Sequence, residues 1–299
     1  MTGALGCLIC GGDRIIQATR DYRACLNCRH ESLVLGQVQT FMTNDRLTPE
    51  AHFKPDFLVR FQSRVVESVR CSDRLLIDIG CGSGKFLLHC RASFRSVFGV
   101  EVNAKNSSFA TQILGLQVHP SLPSDISPPS VVTFWHSLEH IPAESMMTIL
   151  EKLRAVCGEE SRIVISVPNS RSLQYRVFRE RYAFYDAPNH LHQFSPLSLD
   201  MVMRRYGFIK SHEFFSPAYI FFGNVQGLLN LVIPIHNYFY YRRKRGANFG
   251  LAFPKLLFFD CLSVLLLLPA VPIGLILTMV DYALTEGRGV LTACYRKGV

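Results

Sequence analysis

No continuous apolar run occupies the first twenty residues, which carry glycines, two cysteines and charges instead, so no export signal is evident. Internal repeats are also absent, and 299 residues are enough for one main domain with a good core plus an accessory piece. A disulfide framework is not indicated either. Of the ten cysteines, four form two close pairs, while Cys71, Cys81, Cys90, Cys157, Cys261 and Cys294 stand singly in apolar or loop sequence, as expected in a reducing compartment. Acidic residues are scarce: 23 Asp and Glu face 32 Lys and Arg, giving a formal net charge of +9 and a pI near 9.1. Such a balance suits an anionic membrane surface or nucleic acid, and with 48% hydrophobic residues and a mean hydropathy of +0.17 the membrane is as good a partner as RNA.

The chain is organised around Leu75-Leu-Ile-Asp-Ile-Gly-Cys-Gly-Ser-Gly-Lys-Phe-Leu87. An apolar, β-branched run ends in Asp78, meets Gly80, Gly82 and Gly84 at alternate positions, and resumes as an apolar segment, which reads as strand, tight turn and helix. Glycine lets backbone approach a ligand without a Cβ in the way, and the following helix offers free N–H groups. Lys85 stands where the third glycine of a nicotinamide-binding G-x-G-x-x-G turn belongs, so the dinucleotide reading is weakened. Further on, Val97-Phe-Gly-Val-Glu-Val-Asn103 reads as the next strand, with Glu101 at its end. In a doubly wound fold a carboxylate at that separation accepts the hydroxyls of a ribose.

The D-x-G-x-G-x-G pattern resembles the first strand and loop of the class I S-adenosylmethionine (AdoMet) methyltransferases. Trp135-His-Ser-Leu-Glu-His140, Ile163-Val-Ile-Ser-Val-Pro-Asn169 and His190-Leu-His-Gln-Phe-Ser195 are similar to segments of the ubiquinone-biosynthesis-like, type 23 branch, and the likeness spans residues 71 to about 212. It implies an α/β, doubly wound, seven-stranded Rossmann-like sheet whose last two strands are antiparallel, here Phe208–Phe214 and Gly289–Tyr295. It also implies AdoMet as cofactor. Asp78 would support the loop or the methionine amino end and Gly80, Cys81, Gly82 and Gly84 the methionine backbone. Glu101 and Val102 would hold the ribose side, and His136 would line the pocket. Ser130 and His136 depart from the branch, which often has Asp and Glu there; its Glu-x-x-Glu-His run, associated with a divalent metal, corresponds to His136, Glu139 and His140.

That run lies beyond the carboxyl end of the fourth strand, Val131–Trp135, where ligands bind in an open α/β sheet. Spacings of three and four put His136, Glu139 and His140 on one side of a turn, and loop scaffolding, proton relay and metal ligation all stay open. His190 and His192 alternate in an extended segment, and an imidazole near neutral pKa suits removal of an acceptor proton. Catalytic candidates are therefore His140, His190 and His192, with bracing of the following helix, which Ser195-Pro196 begins, as the competing role.

At the N-terminus, Cys7-x-x-Cys10 and Cys25-x-x-Cys28 have the spacing of two knuckles that present four thiolates to one structural zinc ion, a zinc ribbon. Residues 36 to 54 read as a connector, and Pro55 opens a helix with Phe57, Leu58, Phe61, Val65 and Val69 on one face. Toward the C-terminus, residues 218–241 hold no Lys, Arg, Asp or Glu and close on Arg242-Arg-Lys-Arg245, and residues 261–280 are uncharged throughout. Twenty apolar residues just span ~30 Å of hydrocarbon, but Pro269 and Pro272 are expected to break or bend a helix there. Because the last strand must rejoin the sheet, a single crossing is excluded; two crossings, a re-entrant or in-plane hairpin, or a soluble dimer element remain.

The expected organisation is a zinc ribbon (1–35), a methyltransferase core (36–215), an apolar membrane-associated helical insertion (216–285) and the last core strand (286–299). The expected function is AdoMet-dependent methyl transfer to an O, N or C nucleophile of a small or lipid-linked acceptor, at the cytoplasmic face of a membrane. Two alternatives stand beside it. One is an rRNA methyltransferase, although no Asn-Pro-Pro-Tyr-type motif follows the fourth strand; the other is a non-catalytic zinc-ribbon membrane adaptor. Nucleic acid is the less expected partner, and the oligomeric state is not readable.

Overall fold

Nine of the ten residues Leu75–Ile79 and Val131–Trp135 that carry the two central strands are apolar or β-branched and all ten are buried, as strands covered on both faces by helices must be. The computed structural model describes residues 6–34, 47–123, 125–283 and 288–298, with Lys244 and Arg245 described by backbone only. In chain order the elements are β1 Ile15–Gln17, β2 Tyr22–Cys25, β3 Glu31–Leu33, α1 Pro49–Phe53, α2 Phe57–Val69, β4 Leu75–Ile79, α3 Lys85–Cys90, β5 Ser96–Val100 and α4 Ala104–Gln112. There follow β6 Gln117–His119, β7 Val131–Trp135, α5 Ala143–Val156, β8 Arg162–Pro168, α6 Leu173–Phe178, β9 His192–Gln193 and α7 Pro196–Arg205. The chain closes with β10 Phe208–Phe214, α8 Pro217–Val232, α9 Tyr238–Arg245, α10 Phe253–Ala283 and β11 Val290–Lys297.

Seven strands form one sheet in the order β10-β11-β8-β7-β4-β5-β6, with β8 to β6 parallel and β10 and β11 antiparallel. This is the expected α/β methyltransferase sheet. One layer of core joins Ile77, Phe134 and Ile165 to Leu150 of α5 and Met203 of α7. The other joins Leu76 and Val131 to Val66 of α2, Leu87 of α3 and Phe109 of α4. The sheet thus brings the ends of β4, β5 and β7 together at one edge.

The ribbon is not a separate bead. Its strands continue into a four-stranded sheet β1-β2-β3-β9, in which β3 pairs with the two-residue strand β9 through Glu31 opposite Gln193 and Ser32 opposite His192. The connector expected over 36–54 contains α1, and its residues 36–46 lie outside the described residues, as does the 285/286 boundary of the insertion.

The insertion differs from expectation in one respect: Pro269 and Pro272 sit inside an unbroken 31-residue α10. Both prolines are exposed, on the side of the helix away from α8, while Ser263, Ala270 and Gly274 pack inward. At Gly274 a Cβ would come within 2.7 Å of Val225, so a small residue there lets the two helices approach closely beside the prolines.

Candidate functional site

The glycine loop divides its labour. A Cβ on Gly80 (φ 77°) would come 2.4 Å from Ser137 Cβ, and one on Gly84 (φ 82°) would come 2.6 Å from Leu116, so these two glycines allow β7 and α4 to close in. Gly82 (φ 54°) has nothing within 4 Å of such a Cβ: its free side faces open space. Its N–H donates to Glu101 Oε2 at 2.8 Å, while Asn103 N–H donates to Glu101 Oε1 at 2.7 Å. Two backbone donors hold the carboxylate in place at the end of β5, with lone pairs left for further hydrogen bonds. Beside it Val102 is 85% exposed and offers apolar surface.

Asp78 is buried and accepts from Thr133 Oγ1 at 2.7 Å. Burial, opposed by that hydrogen bond and aided by the charge of Glu101, pushes its carboxyl up to about 7. Cys81 is buried against Gly99, where a Cβ would lie 2.3 Å from its sulfur, so its side chain serves packing and its backbone serves the loop. Open space at Gly82, an oriented carboxylate and an exposed apolar neighbour fit the methionine and ribose parts of AdoMet.

Sequence reading missed the cover of this loop. His52 of α1 bonds through Nε2 to Ser83 Oγ at 2.8 Å and packs on Phe109, and Lys85 pairs with Asp56, the cap of α2, at 2.9 Å. An isolated histidine in a stretch without periodicity gives no signal for such a contact.

At the end of β7, His136 takes φ 51°, a left-handed conformation rare outside glycine, and its N–H donates to Ser166 O at 2.9 Å. Its Nδ1 lies 3.4 Å from Oε1 of the fully buried Glu139. Burial pushes the Glu139 carboxyl up, but the hydrogen bond from His136 and the charges of His140, His136 and His190 outweigh it and hold it at about 2. The His136 ring stacks on Phe184 at 5.8 Å and meets Tyr219 of α8 at 5.3 Å. The apolar insertion therefore supplies a wall of the site.

His140 donates from Nδ1 to Asn189 O at 2.9 Å and meets the His190 ring edge-on at 4.5 Å. Burial and His140 push His190 down to about 4. Ligand atoms of Glu139, His140 and His190 lie within 4.8 Å of one another, so these three, not His136, have the spacing of a metal set. His190 and His192 do not face one way. His192 donates from Nε2 to Ile141 O at 3.1 Å, which leaves Nδ1 to accept from His30 Nε2 at 3.2 Å. With both ring nitrogens committed to protein partners, His192 ties the ribbon to the loop and has none left for an acceptor.

The four ribbon cysteines come together as expected. Sγ of Cys7 and Cys28 are 3.4 Å apart, those of Cys10 and Cys25 3.6 Å, and all four lie within 4.8 Å of one another. Tetrahedral zinc with Zn–S near ~2.3 Å separates its sulfurs by ~3.8 Å, so the set suits one zinc ion.

Comparison with known proteins agrees with this geometry. A family profile described as a methyltransferase domain matches residues 51–212, just over half of the chain. No curated protein matches. Among solved structures the chain is similar to the cyclopropane synthase MmaA2 from Mycobacterium tuberculosis, at 12% identity and TM-score 0.50, covering 79% of this chain and 83% of that one. It is also similar to a SAM-dependent methyltransferase from Archaeoglobus fulgidus, at 20% identity and TM-score 0.48, covering 83% and 97%.

Proposed function

This chain belongs to the methyltransferase domain family and is an AdoMet-dependent methyltransferase of class I fold, and on that premise we propose that it methylates a small or lipid-linked acceptor met at a membrane surface. When bound, AdoMet supplies an electrophilic methyl carbon on a sulfonium centre. The protein's part is to align a nucleophile and exclude water. Glu101, fixed by two backbone N–H groups, is assigned the ribose hydroxyls; Gly82 leaves room for the methionine end, and Asp78 with Gly80, Cys81 and Gly84 supports the loop. Phe184 and Tyr219 close the acceptor side around His136. His140 and His190 pack beside Glu139, at its inner end. One zinc ion on Cys7, Cys10, Cys25 and Cys28 would keep the ribbon folded and, through β9, hold the acceptor loop.

The membrane reading is carried by α10. Its inward side packs on α8, and its outward side exposes Leu257, Phe258, Leu265, Leu268, Ile276 and Met279, each more than half exposed, along the whole helix. α10 is long and apolar enough to cross a bilayer, but β11 must rejoin the sheet beside β10, so a single crossing is excluded and a helix lying along a leaflet suits the fold better. α8 cannot serve as a second crossing without uncovering Asn224, Gln226 and Asn230, all buried in the present packing. Arg242 pairs with Asp260 at 3.0 Å and fixes α9 on α10, and next to it Arg243 is exposed toward solvent, as anionic headgroups would favour.

Calorimetry with AdoMet and flotation with vesicles containing phosphatidylglycerol test the two halves separately. The folded protein is expected to bind AdoMet and to float with the vesicles. A soluble dimer that ignores vesicles would assign the α10 stripe to a second copy and remove the membrane half.

A further inference from the structure

Around the loop after β7, buried polar atoms are left without a hydrogen-bond partner among the described residues: His136 Nε2, the Tyr219 hydroxyl, His190 Nδ1 and Glu139 Oε2, while Glu139 Oε1 has the 3.4 Å contact with His136 Nδ1. Buried polar groups are rarely left in this state, and a cluster of them calls for a partner from outside the protein, water or ligand, or for a catalytic role. His136 is also held in a left-handed backbone conformation that persists only where the surroundings enforce it. Here Ser166 O fixes its N–H, and the rings of Phe184 and Tyr219 fix its imidazole.

Glu139 favours one tautomer. A carboxylate can only accept, so its 3.4 Å approach to Nδ1 favours the proton there, and Nε2 is left without a partner beside the rings of Phe184 and Tyr219. Of its neighbours, His192 is committed through both nitrogens and His140 through Nδ1 to Asn189 O, while His190, packed edge-on against His140 at 4.5 Å, has an unpartnered Nδ1 but no ring contact with Phe184 or Tyr219 among the described residues. We propose that His136, oriented by Glu139, is the catalytic base, and that the acceptor atom is the oxygen of a neutral hydroxyl.

This inference rests on the methyltransferase reading and moves His136 from the cofactor side to the acceptor side. The hydroxyl proton passes to Nε2 as the oxygen's electron pair forms the bond to the methyl carbon. The carbon–sulfur pair stays on sulfur, leaving a neutral thioether. The imidazolium that results lies against Glu139, whose negative charge balances it. Tyr219, from the insertion, is the wall that orients the ring, so a helix packed toward the membrane contributes directly to the acceptor pocket.

Two readouts test it. Full-length protein labelled with 15N in its histidines is expected to show His136 protonated at Nδ1 and bare at Nε2, a preference that Glu139→Gln weakens; a proton on Nε2 in the wild-type protein overturns the dyad. The second is transfer of tritiated methyl from AdoMet to an extract of cells deleted for this chain. His136→Gly, which suits φ 51°, is expected to lower transfer ~10²–10⁴-fold with the AdoMet dissociation constant unchanged, and added imidazole is expected to restore part of the rate. Weaker AdoMet binding by that variant would return His136 to the cofactor pocket and refute the proposal. If the wild-type protein transfers no methyl while the tautomer is as expected, the acceptor reading fails and the dyad geometry stands.

Discussion

The hydroxyl of Tyr22, in the second ribbon strand, donates a 2.8 Å hydrogen bond to the backbone carbonyl of His190, on the loop assigned above to the acceptor side. Ser195 Oγ donates to Cys28 O at 3.0 Å, Leu33 N–H donates to Leu191 O at 3.0 Å, and Tyr175 is joined to Glu31 through its hydroxyl. The ribbon is thus built into the floor of the site, and Tyr22, fully buried, sits in one cluster with Tyr175, Tyr182 and Tyr185.

If the ribbon holds zinc as proposed, loss of that zinc is therefore expected to reach the loop that carries His190. In Cys25→Ser or chelated protein, hydrogen exchange should accelerate over residues 185–195 as well as 7–33, while β4 and β5 stay protected, because a short ribbon has too little core to fold on its own. Exchange confined to residues 7–33 would show the loop to be independent of the ribbon.

The three loop glycines are expected to separate by their neighbours. Gly84→Ala should lower stability, since its Cβ would meet Leu116 at 2.6 Å and Ala110 at 3.1 Å. Gly82→Ala, with nothing within 4 Å, should cost mainly its backbone strain and weaken AdoMet binding more than it lowers Tm. Glu101→Gln should weaken binding on the order of tenfold or more, since hydrogen bonds to a charged acceptor contribute about 1.5–3 kcal/mol. Equal losses of Tm in both glycine variants, or full AdoMet affinity in Glu101→Gln, would contradict these assignments.

Asp78 gives a pH dependence of definite sign. Its folded pKa, pushed up to about 7 by burial and Glu101, lies above the ordinary Asp value, so between about pH 4 and 7 the unfolded chain loses a proton that the folded one keeps. Folding free energy is then lost as pH rises through that window. Asp78→Asn should raise the Tm of AdoMet-free protein at pH 8 and do so less, or not at all, at pH 4.5, measured by scanning calorimetry. A gain that does not depend on pH would remove the titration as its cause.

The sheet was legible because β4, β7 and β8 are apolar runs closed by Asp78, His136 and Asn169, and because a glycine loop and Glu101 recur at a fixed separation. The thiolate set was legible from spacing alone. His52 over Ser83, the His30–His192 bond and the Tyr219 wall were not, since each joins residues 31 to 162 positions apart or brings an apolar helix to a polar site. The paired prolines of α10 also misled: local sequence specifies a break, whereas the helix runs unbroken through both, with Gly274 packed closely on Val225 of α8.

The outward face of α10 offers the sharpest test of the membrane half. Leu268 and Met279 are 74% and 73% exposed, so changing both to Glu disturbs little packing and should leave AdoMet binding and Tm near the wild-type values. Flotation with phosphatidylglycerol vesicles should be lost, because a charge must not enter the acyl boundary and the buried apolar area falls. Replacing Arg243 with Gln should act differently. It weakens only the headgroup attraction, so binding should become less sensitive to salt while apolar anchoring remains, since burial is not screened and Coulombic attraction at a surface is. If high salt alone frees the wild-type protein from vesicles, the attraction is charge alone and the stripe has another occupant. If Leu268→Glu/Met279→Glu converts a dimer to a monomer without changing vesicle binding, that occupant is a second copy of the chain.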